Sequence, residues 1–276
     1  MVGIVSTAAR ASAQGDFSIP PWLLPLLQRL AGVAGILALL ELITRTGIVN
    51  PRYFPPMSTV FARLAEEAVS ARLWSDVLLT LQGWAAGLGI ATLVGVLLGM
   101  VAGLWDPVFH GLRPIVEFLR PVPSVALIPL AILMFGAGME SKIFMAAFAA
   151  TWPILIQSMY GVRDLDPVQM ETARSYRIPG PMRFRRVLLP SALPYIATGM
   201  RVSSATALAL AVSTELIIGA PGLGQTINIA RASGAPDLMY ALIVVAGLLG
   251  WLLNIVFVRV EGSLLRWHPT YREVAQ

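Results

Sequence analysis

The chain has 276 residues, of which 57% are hydrophobic and 13% charged, with a formal net charge of +5. Water-facing domains carry about 25% charged residues, so this sequence lacks the polar supply for a soluble surface and belongs in a membrane. Having no cysteine and only two histidines, His110 and His268, it has no disulfide framework, thiolate metal site, Cys nucleophile or His-rich metal centre.

Residues 1–22 hold only Arg10 and Asp16 as charges and no basic n-region followed by a cleavage site. They read as a cytoplasmic N-terminal tail, followed by an uncleaved first transmembrane helix over 23–43 that tolerates Arg29 and Glu41. Residues 44–76 form an extracytoplasmic connector. Within it, Asn50-Pro51 and Pro55-Pro56 make turns, and Ser58 is placed to cap a helix running to about Ala71. That helix is amphipathic, with Val60, Phe61, Leu64, Ala68 and Val69 on one side and Arg63, Glu66 and Glu67 on the other.

The five-helix core, 77–262, is read from its charge gaps. No Asp, Glu, Lys or Arg occurs between Asp76 and Asp106, Arg120 and Glu140, Lys142 and Arg163, or Asp237 and Arg259. Each gap is near or above the roughly 20 residues that cross a hydrocarbon core as a helix. A further span, about Pro194 to Ile218, carries Arg201 and Glu215. The fold class is therefore an all-α membrane protein with six transmembrane helices; barrel strands would need short alternating segments instead. Residues 263–276 form a C-terminal tail. The basic residues divide roughly two to one in favour of a cytoplasmic N-terminus and C-terminus, with Lys142 counted on the outer side. The pI near 10.1 records this orientation and not a nucleic-acid partner.

Within the spans, Gly83, Gly87, Gly95, Gly99 and Gly103 of the second helix allow close helix approach, either in the core or at a contact with a second copy. In the third span, Pro121 and Pro123 follow Arg120 and must interrupt backbone hydrogen bonding. A bent polar stretch there, including Ser124, suits a solute path; alternatively Arg120 anchors the fold through Glu117, three residues away on the same helical face. Arg201 is assigned to the same path, because a charge at this depth should face protein or water. Glu215 lies near the outer end, before the loop Gly219, Gly222, Gly224, where it serves as an outer gate or a contact for an outside partner, or else joins a structural ion pair. That loop lacks the Lys-Ser or Lys-Thr of a nucleotide site.

The cytoplasmic loop 163–190 carries Arg163, Arg174, Arg177, Arg183, Arg185 and Arg186 against Asp164, Asp166 and Glu171. Asp166-Pro167 is an N-cap and first-turn pair, which predicts a helix through about Tyr176. Ile178-Pro179-Gly180-Pro181 should break it, and a second short helix, Met182 to Leu189, should precede Pro190.

Glu171-Thr172-Ala173, with Val187-x-Leu189-Pro190 further on, resembles the E-A-A, then G, then I-x-L-P loop of binding-protein-dependent ATP-binding cassette importer permeases. Phe118-Leu119-Arg120-Pro121-Val122-Pro123, Phe135-Gly136-Ala137-Gly138, Gly161-Val162-Arg163 and Gly219-Ala220-Pro221-Gly222-Leu223-Gly224 resemble the nitrate, sulfonate, taurine and bicarbonate branch. The resemblance runs from about Leu42 to Trp267. It departs at Arg177, which stands where the family has its glycine. Because arginine resists the left-handed conformation, the turn is expected to move to Pro179-Gly180-Pro181.

The resemblance implies a type I importer permease of a bacterial inner membrane, working as two permease copies, expected as a homodimer, with two ATPase subunits and an extracytoplasmic binding protein. ATP and magnesium would be bound by the partner ATPase, leaving no cofactor and no catalysis in this chain. Glu171, Thr172, Ala173, Arg174, Arg177, Gly180, Leu189 and Pro190 would couple to the ATPase. Arg120, Pro121, Pro123, Ser124, Arg201 and Glu215 would line or gate the path of a small anion, and Gly219, Gly222 and Gly224 would face the binding protein. The alternative is an ion-coupled secondary transporter, against which stands the absence of two related halves with paired broken helices.

Overall fold

The computed structural model describes residues 23–266; His268 and most of both expected tails lie outside them. The chain divides between Met57 and Ser58 into two compact units. The first contains α1 (Leu23–Arg45), in which Leu24, Leu27, Leu30, Val33, Ile36, Leu39 and Leu42 are exposed. Glu41 and Arg45 pair along it at 2.6 Å.

The second unit begins with α2 (Met57–Ala68) and continues through α3 (Ala71–Leu104), α4 (Asp106–Leu119), α5 (Ile128–Phe135) and α6 (Met139–Arg163). It closes with α7 (Pro167–Ser175), α8 (Gly180–Arg183), α9 (Leu189–Ile218), α10 (Leu223–Ala232) and α11 (Pro236–Leu264). The amphipathic helix starts two residues earlier and ends sooner than expected: Ser58 lies inside it and does not cap it, and Val69, 88% exposed, lies beyond it. Val60 is buried on its apolar face while Arg63 bridges Glu66 and Glu67 at 2.8 and 2.9 Å on the other.

Five helices are long and apolar enough to cross a bilayer, and α4 with α5 makes a sixth if the bent pair is one span. Pro121 and Pro123 cannot donate to the carbonyls one turn back, so α4 ends and α5 restarts through a short 3₁₀ turn, Ser124–Leu127, at 89°. The fifth span departs from expectation. Pro190 does not separate a short helix from it; α8, a π-helical turn Phe184–Leu188 and α9 run on as one helix from Gly180 to Ile218. Widening the helix just before Pro190 accommodates a residue without an N–H, with the Leu189 N–H donating to the Phe184 carbonyl.

The core forms where α6 lies between α3 and α9. Leu88 and Ala91 of α3, Ala146, Ala150 and Ile154 of α6, and Ala207 and Ala211 of α9 are buried together. Lipid supplies no hydrophobic drive between helices, so close packing must hold them. The α3 glycines recur every fourth residue, with Ala91 in the same register, and resolve the choice left by the sequence: they face α6. A Cβ at Gly87 would stand 2.6 Å from Ala146 Cβ, and one at Gly99 would meet the Leu155 carbonyl at 2.5 Å. Gly199 of α9 likewise packs on Pro153, Ile154 and Gln157 of α6. Gly87→Val is expected to destabilise the protein by ~1–3 kcal/mol through overpacking. Gly89→Ala, with open space beside it, should leave the thermal midpoint in detergent unchanged.

At the end of the unit opposite the 163–190 loop, α10 packs on α9, α11 and α3. Leu223 and Ile227 lie buried with Leu73, Val77 and Leu242.

Candidate functional site

The polar features collect in three places. At the loop-bearing end, the Asp166 carboxylate accepts the Val168 N–H at 2.9 Å, which starts α7 where the Asp-Pro pair predicts. The end of α7 overturns an expectation. Arg177 itself takes the left-handed conformation, with φ at +52°, so the turn has not moved to Pro179-Gly180-Pro181. The Ile178 N–H donates to the Ala173 carbonyl at 3.0 Å and the Arg177 N–H to the Arg174 carbonyl at 2.8 Å. This is a Schellman cap, and its two bonds hold arginine in a position that glycine would occupy more easily. Gly180 instead opens α8. Arg177→Gly should therefore stabilise this end by about 1 kcal/mol, read as slower hydrogen exchange at the Arg177 and Ile178 amides.

Ala173 is buried, whereas Glu171, Thr172, Arg174 and Arg177 are exposed. Among the described residues Glu171 has no ion-pair partner. A groove of about 670 Å³, lined by Val168, Thr172, Tyr176, Arg186 and Pro190, opens beside it; half-buried Leu189 packs instead on the cluster of Met100, Val162 and Leu188. Val168 and Tyr176 are 66% and 79% exposed, on a segment too charged to sit in lipid. The loop is tied to the spans at its root. Arg163 pairs with Asp106 of α4 at 2.8 Å and stacks over the Phe109 ring at 3.9 Å, and Tyr195 of α9 donates to Asp164 at 3.1 Å.

The second place is the break between α4 and α5. Glu117 does not pair with Arg120: it lies one turn from Arg113, which it meets at 2.7 Å. Arg120, at the α4 C-cap, lines two cavities instead. One, of about 610 Å³, lies between α4 and α6 toward the loop-bearing end and includes Phe109, Leu112, Arg113, Pro121 and Tyr160. The other, of about 330 Å³, opens between the break, α6 and α9 and includes Ser124, Trp152, Gln157 and Thr206. Pro123 sets the start of the 3₁₀ turn beside it. An arginine within a membrane span costs ~2.5–3.5 kcal/mol to insert, so an exposed guanidinium with no carboxylate partner among the described residues favours a watered region. Arg201 stands elsewhere. It faces α11, where it meets the buried carboxylate of Glu261 at 3.2 Å.

The third place is a charged cluster at the far end. Lys142 and Glu215 are both fully buried and pair at 2.8 Å. The Lys142 ammonium also donates to the Leu79 and Pro221 carbonyls at 2.9 and 2.8 Å. The second Glu215 oxygen accepts from the Thr80 hydroxyl and the Gly224 N–H, each at 2.9 Å, and the Thr80 oxygen accepts the Leu223 N–H at 3.0 Å. Four segments, α3, α6, α9 and the glycine-rich loop, thus close on one ion pair. Such a pair is tolerated in a low-dielectric interior only when its remaining hydrogen-bonding capacity is filled. The loop's composition follows. At Gly222, with φ at +148°, any side chain would strike the Glu215 carboxylate, and at Gly224 it would strike the Val212 carbonyl. Gly219, also left-handed at +74°, ends α9 and its carbonyl accepts from Gln225 at 2.8 Å.

Sequence reasoning placed Lys142 among the solvated outer charges; the structure buries it. It is the chain's single lysine beside nineteen arginines, a signal that pointed to it. Trp152 and Gln157 were overlooked because they sit in an apolar helix without a motif.

Residues 91–266 match the family described as the binding-protein-dependent transport system inner membrane component. The taurine transport system permease protein TauC of Escherichia coli (strain K12) is 30% identical over 256 residues, 90% of this chain and 93% of that protein. The putative aliphatic sulfonates transport permease protein SsuC of the same organism is 32% identical over 256 residues, with 92% and 93% covered. Among solved structures, an amino acid ABC transporter superposes with a TM-score of 0.59 at 17% identity, over 74% of this chain and 97% of the other; it is a likeness of fold.

Proposed function

This chain belongs to the family of binding-protein-dependent transport system inner membrane components, and from that premise we propose that it forms the translocation path of an ATP-driven importer for a small organic anion of the sulfonate class. Solute arrives from an extracytoplasmic binding protein at the glycine-rich end, with Gly219, Gly222 and Gly224 shaping the receiving surface and the Lys142–Glu215 pair keeping that end closed. It passes the break at Arg120, Pro121, Pro123 and Ser124 and leaves through the cavity toward the loop-bearing, cytoplasmic end. Both termini lie on that side. Two permease copies enclose the path, and two ATPase subunits, which bind the ATP and magnesium, drive it. The chain itself hydrolyses nothing.

The observation that carries the coupling part is the exposed helix-turn-helix of the 163–190 loop. Its root is tied to α4 and α9 by Arg163–Asp106 and Asp164–Tyr195, so a displacement of α7 reaches the broken span as a rigid movement. Its tip offers exposed Glu171, Arg174 and Arg177 with exposed Val168 and Tyr176, the mix of anchor and charge that suits a partner groove. The sulfonate class rests on the relatives' names, together with an Arg120 that no carboxylate neutralises among the described residues. Arg201 braces α9 against α11.

The reading is tested by purifying the permease with its ATPase and asking whether the pair co-elutes and hydrolyses ATP faster when loaded binding protein is added. Stimulation is expected. A permease that accumulates solute in vesicles from an ion gradient alone, without ATPase, would be a secondary transporter.

A further inference from the structure

We infer that α2 is a lipid-seated helix: it lies at the membrane surface opposite the 163–190 loop and rests its exposed apolar face on the bilayer. The structure divides its circumference into three sectors. Val60 is buried and Arg63, Leu64 and Glu67 are half-buried, with the Arg63–Glu67 pair among them. Phe61, Ala62, Ala65 and Ala68 are exposed together with Ser58, and beyond them lie exposed Thr59 and Glu66. At about 100° per residue these groups follow one another around the helix without mixing.

A helix lying on a protein in water needs two faces, one covered and one polar. Three sectors are what a helix meets where protein, hydrocarbon and water adjoin. The residues that the sequence groups on one apolar side are split accordingly: Val60 and Leu64 turn to the protein, while Phe61 and Ala68 do not.

Depth is set by α3. Only Val69 and Ser70 separate the two helices. The charge-free part of α3, Val77 to Leu104, is about 42 Å long as a helix, which matches the ~40–45 Å of a bilayer with its headgroups. Seated so, it places Asp76, Arg72 and the end of α2 at the headgroup level. Trp74, 60% exposed, shares a face of α3 with exposed Leu78, and tryptophan favours this depth. Its indole N–H donates to the Ala68 carbonyl at 2.9 Å, one of the carbonyls that a helix end leaves unpaired. That bond joins the apolar face of α2 to the exposed side of a membrane span. The surface is therefore continuous with the one a bilayer covers, and its apolar sector holds no charge for a protein partner to read.

The chain has no cysteine, so a single spin label can be placed in the full-length permease. Ala62→Cys, Ala65→Cys and Glu66→Cys replace exposed residues, and in the last of these Arg63 keeps its pair with Glu67. The labelled proteins are measured in vesicles of phosphatidylethanolamine and phosphatidylglycerol, where oxygen concentrates in the hydrocarbon and a nickel chelate stays in water. Collisions with oxygen are expected to exceed those with nickel at Ala62 and Ala65, and the order to reverse at Glu66. Nickel in excess at all three positions would make α2 a water-exposed connector, and oxygen in excess at all three would sink it into the bilayer. Loss of both collisions at Ala65 would make the face a protein interface: with a second copy if the labels broaden one another, with the binding protein if the loss follows its addition. Each of these three results overturns the lipid seat and leaves the importer reading standing.

Discussion

Lys142→Ala is expected to destabilise the protein by ~3–5 kcal/mol, because it strands the Glu215 carboxylate as an uncompensated buried charge. The stem is lost as well: Lys142 packs its carbons against Gly83, leaving no room for a Cβ there, so truncation opens a void between α3 and α6. Glu215→Ala should behave alike, stranding the ammonium and freeing the Thr80 hydroxyl and Gly224 N–H. The informative variant is the double replacement Lys142→Met with Glu215→Leu. Apolar side chains of similar volume in place of a buried pair are often near neutral, so its midpoint in a detergent thermal melt should return close to wild type. It should still transport poorly, since the loop loses its Pro221 and Gly224 bonds and keeps only the Leu223 N–H to Thr80 from this cluster. Equal melting of the single and double variants would show that the pair contributes no specific coupling.

Glu171→Lys is expected to leave the protein inserted and folded while weakening its ATPase about thirtyfold, the equivalent of ~2 kcal/mol for a reversed interfacial charge. Glu171 is exposed and unpaired among the described residues, so reversal breaks nothing within this chain and any loss belongs to the interface. Co-elution with the ATPase reads it directly. Unchanged co-elution and uptake at normal expression would remove Glu171 from the coupling surface. Asp164 is the contrasting position: its replacement frees Tyr195 and should reduce uptake while leaving the ATPase bound, because it acts on the root of the lever and not its tip.

Most spans were legible because a bilayer demands long apolar helices, so the charge gaps fall within α3, α6 and α11; the gap after Arg120 caught only the second half of the broken pair, whose first half, Asp106–Leu119, carries charges. The α7 start was legible for a local reason, the Asp166-Pro167 cap. What escaped was set by partners distant in sequence. Lys142 and Glu215 stand 73 residues apart, and nothing in either local sequence announces the other. Glu117 lay within reach of two arginines, one turn away on either side, and the structure pairs it with Arg113. At Arg177 the local rule against left-handed arginine was outweighed by two capping hydrogen bonds, and at Pro190 a π turn absorbed the residue that should have ended the helix. The path residues divide in the same way. Arg120 was marked by its cost in a membrane, but Arg201, marked by the same reasoning, found Glu261 on α11.

The central claim is that this chain moves solute only as part of an ATP-driven complex. Its most direct test is uptake of a labelled short alkanesulfonate into proteoliposomes holding the permease and its ATPase, with loaded binding protein outside and ATP supplied to the face that carries the 163–190 loop. Accumulation that requires ATP, ATPase and binding protein together is the expected result. Accumulation by the permease alone, driven by a proton or sodium gradient and indifferent to ATP, would contradict the account.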